Sequence, residues 1–527
     1  MSSREVLSTE QRRGAFSSRK VFIFAAIGSA VGLGNIWRFP YVAYENGGGA
    51  FILPYLIALL TAGIPFLLLD YALGHRTRGS APLAFRRMKK GTEWLGWWQV
   101  GICFVIAVYY AAILAWALRY TLFSVDKEWG ADPNAFFGEK FLQGTPASDG
   151  ITLDFIPGLL VPLGIVWAAT LLVMALGVQK GVGATSVVFI PVLIAAFLIL
   201  VVTALTLDGA MSGLDALFTP NWSALGHTSV WAAAYSQIFF SLSIGFGIMI
   251  TYSSYVGKKT DMTGSGLVVG FANSSFEILC GIGVFSALGF MAQAQGVAVD
   301  KVADGGIGLA FVAFPTIINE APAGALIGIL FFGSLILAGF TSLVSILEVV
   351  ISAIRDKFEM TRIGATLAVC APAAVVSIFF FSTSSALHVL DIADNFINKF
   401  GILFVAVVSM VVLAWVVRAL PVFTEHLDRY GSVSVKGWWT VLVAVVTPLS
   451  LGFVLVDEFR ATIDEPYGGH PSWMLNTFGW GIAGAVIVLG VLASLVKWRP
   501  ETSMELPPAA PDPASSTSAT PTEEANR

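Results

Sequence analysis

The chain has 527 residues, of which 56% are hydrophobic and only 12% charged, with a net charge of −4; its mean hydropathy is +0.78. A soluble domain carries about 25% charged residues, so this composition excludes a soluble globular protein, a disordered chain and a nucleic-acid binder with a basic surface. What remains is an all-α polytopic membrane protein whose partners are the lipid bilayer and a small molecule, not nucleic acid.

Residues 1–20 are polar and hold Arg4, Arg12, Arg13, Arg19 and Lys20. The apolar stretch after them is too long for a signal-peptide core, so it reads as an uncleaved first span. A membrane helix needs about 20 mostly apolar residues. Such runs occur at 21–45, 50–73, 94–124, 157–176, 183–207, 230–256, 263–294, 323–354, 363–381, 387–416, 437–456 and 473–496, which predicts twelve spans. The first is interrupted by Gly28-Ser-Ala-Val-Gly-Leu-Gly-Asn35, and the sixth by Phe240-Ser-Leu-Ser-Ile-Gly-Phe-Gly247. Residues 500–527, rich in Pro, Ala, Ser, Thr and Glu, read as a disordered tail.

Placement of Lys and Arg orients the spans. With the N-terminus inside, the cytoplasmic segments hold 23 of the 30 basic residues and the outside loops hold 4. Both termini are then cytoplasmic in a cell membrane, and the number of spans is even. Cys103, Cys280 and Cys370 all lie in apolar runs, which argues against a disulfide framework, and the five histidines are too scattered to form a ligand set.

The two interruptions fall near the middle of the first and sixth spans. Glycine weakens a helix by about 1 kcal/mol relative to alanine, and unwound backbone at membrane depth is tolerated only where it lines a cavity or contacts ions. Paired breaks at matching places in two halves of a chain point to a transporter site built from half-helix ends. Freed carbonyls suit a cation. Free N–H groups and the positive end of a half-helix suit a carboxylate.

The residues at these breaks carry a resemblance. Gly28-Ser-Ala-Val-Gly-Leu-Gly-Asn35-Ile-Trp-Arg38-Phe-Pro-Tyr, followed by Glu45-Asn-Gly-Gly-Gly-Ala-Phe51, resembles the first-helix signature of the neurotransmitter:sodium symporter family. Gln237-Ile-Phe-Phe240-Ser-Leu-Ser243-Ile-Gly-Phe-Gly247 is similar to its sixth helix, and Ala338-Gly-Phe-Thr341-Ser342 to its eighth. The resemblance runs over about residues 13–498 and is nearest to the prokaryotic amino-acid branch. It implies the LeuT fold, with inverted five-helix repeats at 21–207 and 230–416, helices 11 and 12 at 437–496, and broken helices 1 and 6. A homodimer is one arrangement the chain could adopt.

The same resemblance implies sodium-coupled import of an amino acid, with two Na⁺ ions. One would be held by Ala30, Asn35, Ser241 and Asn273 with the substrate's carboxylate, the other by Gly28, Val31, Ala338, Thr341 and Ser342. Both sets are all oxygen, as a hard cation requires. Ala30, Gly32, Gly34, Ile106, Tyr110, Phe240, Ser241, Ser243, Phe246, Ser342, Ser345 and Ile346 would line the substrate site, with the Tyr110 hydroxyl on the substrate carboxylate. Monoamine members carry Asp at the position of Gly32; glycine there, between apolar walls, implies a neutral hydrophobic L-amino acid. Glu277, one turn after Asn273, would replace the chloride of animal members. Arg38 and Asp394, with Gln237 nearby, match an external gate, and Arg13 and Asp356, with Phe16 and Tyr255, an internal one. Asp70 would cap N–H groups freed by the sixth-span break. Glu348 and Lys399 receive no role.

No nucleotide-binding loop, pore filter or paired histidine ligands argue for an ATPase, a channel or a membrane enzyme. A non-transporting amino-acid sensor of the same fold would carry the same residues and stays as the alternative.

Overall fold

The computed structural model describes residues 14–303, 305–358 and 360–509. Among them every regular element is helical, with two isolated β-bridges. In chain order these are α1 (Arg19–Ala30), α2 (Leu33–Glu45), α3 (Gly49–Thr77), α4 (Ala81–Met88), α5 (Lys90–Asp126), α6 (Pro157–Ala175), α7 (Val178–Leu205), α8 (Ala210–Phe218), α9 (Thr228–Ser241), α10 (Ile248–Ser254), α11 (Met262–Gln295), α12 (Gly306–Glu320), α13 (Gly324–Lys357), α14 (Arg362–Phe381), α15 (Ala386–Val416), α16 (Leu420–Tyr430), α17 (Lys436–Gly469) and α18 (Ser472–Leu495). Ten of these are long and apolar enough to cross a membrane. The pair α1 and α2, bent by 54° across a two-residue break, makes an eleventh. The predicted run 230–256 is realised as two shorter helices, α9 and α10, separated by 242–247.

The inner helices are buried on most sides and the outer ones face lipid. The apolar windows of α5, α11 and α13 are 72–78% buried, whereas those of α7, α14 and α17 are 33% buried and that of α18 is 28%. α5 and α13 cross along much of their length and form the spine against which α1 and α14 pack. Short helices α8 and α12 cover the face that the Lys/Arg asymmetry assigns to the outside (the outer face), and α4 and α16 cover the inner face. The sequence did not predict these four, because none is long enough to give a span-like run. α8 seats directly on α11: a Cβ at Gly213 would lie 1.7 Å from the Phe285 carbonyl oxygen, so only glycine permits the contact.

Residues 500–509 depart from the expected disordered tail. The Arg499 N–H donates to the Lys357 carbonyl (3.1 Å) and the Thr502 hydroxyl to the Asp356 carbonyl (2.8 Å). Arg87 and Arg76 donate to the carbonyls of Ser503 (2.8 Å) and Pro507 (2.5 Å). The last turn of α13 leaves its carbonyls without helical partners, and the segment supplies donors that composition alone does not reveal. The rest of the tail, 510–527, lies outside the described residues.

On the inner face, α16 is tied to α3 through His75 and His426, whose ring nitrogens Nδ1 and Nε2 lie 2.9 Å apart. Burial first, then His75, Arg76, Arg429 and Arg78, push His426 down to about 3. The unfolded chain takes up this proton near pH 6.5, long before the folded protein does. The contribution of this contact is therefore complete above about pH 6.5 and declines as pH falls toward 3. Amides of α16 should lose hydrogen-exchange protection between pH 7.5 and pH 5, after correction for intrinsic rates, and His426→Leu should flatten that dependence. Equal protection at both pH values would contradict this account of the contact.

Candidate functional site at the helix breaks

α1 ends where Val31 and Gly32 leave helical geometry; Gly32 is extended at φ −126° and ψ −166°. The Asn35 side-chain oxygen accepts the Gly32 N–H (2.9 Å) and so caps α2 from within. The second break is more contorted. Ser243, Gly245 and Gly247 have φ of +52°, +88° and +89°. The glycines adopt this without penalty, whereas Ser243 is strained by about 1–3 kcal/mol. Its hydroxyl donates to the Ser29 carbonyl (2.8 Å), joining the two breaks and offsetting the strain. Asp70 accepts the Gly245 N–H (3.3 Å), as the sequence suggested for a carboxylate facing freed backbone.

Between the breaks lies a cavity of about 70 Å³. All the residues expected to line a substrate site border it except Ser345. The Ser345 hydroxyl instead donates to the Thr341 carbonyl (2.7 Å) and receives the Tyr252 hydroxyl (2.6 Å), so it serves the packing of α13 against α10. Ser29, Leu33, Asn35, Tyr109, Asn398 and Ile402, which the sequence reading did not assign to the wall, also border the cavity. The Tyr110 hydroxyl accepts the Leu33 N–H at 3.3 Å, at the first turn of α2.

Two clusters of oxygen atoms flank this cavity. In one, Asn35 Nδ2 donates to Asn273 Oδ1 (2.8 Å) and Asn273 Nδ2 to Ser241 Oγ (2.9 Å), so three of the expected ligand residues already touch. In the other, the Ser342 hydroxyl lies 3.5, 3.2 and 3.1 Å from the carbonyls of Gly28, Ser29 and Ala338. Thr341 Oγ1 is 2.9 Å from the same Ala338 carbonyl. A Cβ at Gly28 would lie 3.3 Å from Thr341 Cβ, so glycine lets α1 approach α13 closely enough for these oxygens to converge. Ala30 lies on the cavity wall between the clusters.

Glu277 is fully buried beside the first cluster. It accepts from the Tyr55 hydroxyl and from Gln237 Nε2 (2.7 Å). The carboxylate is held by neutral donors, and among the described residues no cation forms an ion pair with it.

Outward, the cavity adjoins a vestibule of about 780 Å³ bordered by the outer-face segments 134–138, 305–308 and 467–470. Arg38 and Asp394, which the resemblance matches to an external gate, border the vestibule and are not paired with each other. The Arg38 guanidinium stacks 4.4 Å over the Phe240 ring, and Asp394 accepts from Asn398 (2.8 Å). Lys399 pairs with Glu458 (2.7 Å) at the rim.

Inward, the path is shut. Phe16 packs edge-on against Tyr252 and Tyr255 (ring centroids 5.4 and 6.2 Å apart), and its N–H donates to the Tyr255 carbonyl (3.2 Å). Below it, Glu348 receives Arg362 in a two-pronged pair (2.9 and 2.7 Å) and the Tyr255 hydroxyl (2.8 Å). Asp356 accepts the Ser80 N–H (2.9 Å). Arg13, expected opposite Asp356, lies outside the described residues.

Comparison with known proteins places this geometry. The sodium:neurotransmitter symporter family model matches residues 13–140 and 130–501. A sodium-dependent transporter of Methanocaldococcus jannaschii is 40% identical over 92% of this chain and 98% of its own length. A sodium- and chloride-dependent GABA transporter 2 of Macaca fascicularis is 30% identical, over 89% of this chain and 83% of its own. A sodium- and chloride-dependent glycine transporter 2 of Xenopus laevis is 28% identical, over 89% and 67%.

Proposed function

We propose, from the premise that the chain belongs to the sodium:neurotransmitter symporter family, that it imports a neutral hydrophobic L-amino acid with two Na⁺ ions by alternating access. The protein is a sodium-dependent transporter and not an enzyme. One observation carries the substrate reading. The cavity has polar groups at one end (Tyr110, Ser342 and the broken-helix backbone), apolar residues Ile106, Phe246 and Ile346 at its wall, and one charged residue, Asp394, on the side of the vestibule. An acidic side chain would be buried there without a cation, and a basic one would meet only Asp394, which Asn398 already engages. The Asn35, Asn273 and Ser241 cluster and the Gly28, Val31, Ala338, Thr341 and Ser342 cluster are our assignments for the two ions, which are cargo of the cycle. If the substrate carboxylate joins the first, Na⁺ and substrate must raise each other's affinity by the same factor.

On this reading the open vestibule and sealed inner side correspond to an outward-facing state, with inverted repeats at 21–207 and 230–416 exchanging access. The 23-to-4 distribution of Lys and Arg supports cytoplasmic termini in the cell membrane. Uptake into proteoliposomes under an imposed Na⁺ gradient, across the twenty amino acids, tests the proposal. Na⁺-dependent accumulation of aliphatic amino acids and rejection of glutamate and lysine are expected. Binding without accumulation would favour the sensor reading.

We also propose chloride independence. Glu277 sets a carboxylate beside the first cluster, and the GABA and glycine transporter relatives are named chloride-dependent. Replacing chloride with gluconate should leave uptake by the native protein unchanged. Glu277→Ser should lose several-fold of its uptake without chloride and regain most of it with chloride. Chloride-independent uptake by Glu277→Ser would overturn the assignment.

A further inference from the structure

The expected substrate wall comes from the first, third, sixth and eighth spans, yet α15 also reaches the cavity. Within it, Ile397–Leu403 forms a π-helical turn. Such turns recur along this chain, for example at Leu59–Gly63, Val178–Gly183 and Leu475–Gly481, so the turn marks no site by itself; what matters here is which side chains it sets on one face. In an α-helix, side chains four apart drift steadily around the axis. The wider π turn rotates them back, so Asp394, Asn398 and Ile402 stay in one row, and all three border the central cavity. The same three border the vestibule, so this row runs from one space into the other.

Ile402 is the inner end of the row and is 3% exposed. A Cβ at Gly245 would sit 3.7 Å from Ile402 Cγ2, which places the isoleucine side chain against the unwound segment of the second break. α15 passes α5 at Gly401, where a Cβ would lie at van der Waals distance, 3.4 Å, from Ile102 Cγ1. Asn398 has its amide nitrogen committed to Asp394 (2.8 Å), so the row is fixed by a hydrogen bond above and by packing below.

We propose that Ile402 is a specificity-determining residue, closing the cavity over the substrate's side chain and limiting it to aliphatic groups of about alanine to leucine size. This rests on the amino-acid reading above. A cavity of about 70 Å³ leaves little slack, so one branched side chain at its roof decides length. One methylene in an apolar pocket is worth about 10–200-fold in discrimination.

The test measures Na⁺-driven uptake of alanine, leucine and phenylalanine by the native protein and by Ile402→Val, Ile402→Ala and Ile402→Phe in proteoliposomes. The phenylalanine-to-alanine ratio of uptake efficiency should rise about tenfold in Ile402→Ala, less in Ile402→Val, and fall in Ile402→Phe. Half-saturating Na⁺, measured with each substrate at the same multiple of its own half-saturation, should stay within about twofold of native in all, because Ile402 is in neither oxygen cluster. Variants that scale all three substrates equally, or that shift Na⁺ dependence without changing the ratio, would show a packing role and overturn the proposal. If the native protein accumulates none of the three, the amino-acid reading itself fails. If Ile402→Phe does not fold, the graded Val and Ala series still decides.

Discussion

Arg362→Met is expected to destabilise the folded protein by about 3–5 kcal/mol, the cost of leaving a buried carboxylate without its cation. Glu348 has no solvent exposure and Arg362 only 15%, so water cannot replace the lost partner. The two bonds from Arg362 (2.9 and 2.7 Å) would vanish, leaving only the Tyr255 hydroxyl (2.8 Å) on the carboxylate. Arg362 also donates Nε to the Met174 carbonyl (2.8 Å), so the single change removes one of the hydrogen bonds between α14 and α6 as well. Glu348→Leu combined with Arg362→Met should recover much of the loss, because paired removal takes away the charge together with its desolvation cost. Thermal unfolding in detergent, compared across native, single and double variants, measures this. A single variant as stable as native would show that the pair carries no net folding energy. Tyr255→Phe should cost less, about 1.5–3 kcal/mol, since it removes one hydrogen bond to a charged group. Tyr255 also bears on Phe16 (ring centroids 6.2 Å apart), so the pair supports the aromatic plug that seals the inner path.

This network shows what the sequence could and could not express. The helix breaks were legible because glycine and small polar residues inside apolar runs have few other uses at membrane depth. The oxygen clusters were legible only through the family resemblance, since isolated Ser, Thr and Asn in spans are ordinary interhelical hydrogen-bonding groups. Glu348 and Arg362 are 14 positions apart on two helices joined by a turn, and only tertiary packing makes them partners. Ser345 was assigned to the cavity through the family resemblance, and it stands next to Ile346, which does border the cavity. One residue along a helix turns the side chain by about 100°, and that rotation sends Ser345 to Tyr252 instead. Ile402 was missed for a related reason: the π turn that aims it inward has no composition signal. Residues 500–509 read as disordered because of their low hydrophobicity, whereas Thr502 is held by an orphan carbonyl of α13 and Ser503 and Pro507 by Arg87 and Arg76.

Gly32→Asp should lower affinity for a neutral amino acid by about a thousandfold while sparing the fold. The position is crowded: a Cβ there would lie 3.1 Å from both the Ser342 and Tyr110 hydroxyl oxygens. The Tyr110 hydroxyl is the group the resemblance puts on the substrate's carboxylate, so the new side chain enters the space the substrate head group needs. Two like charges about 4 Å apart at an effective dielectric of 20 repel by about 4 kcal/mol, and about 1.4 kcal/mol is tenfold in binding. Gly32→Asn has nearly the same shape without the charge, so the ratio of the Asp to the Asn variant isolates electrostatics from crowding. Equilibrium binding of labelled leucine should be weakest in Gly32→Asp and intermediate in Gly32→Asn. Isoamylamine, which keeps leucine's side chain and amine but lacks the carboxylate, should bind the Asp variant better than it binds the native protein. Equal leucine binding by the Asp and Asn variants would mean that the substrate's carboxylate does not lie at this break, and the first ion cluster would then lack its proposed final ligand.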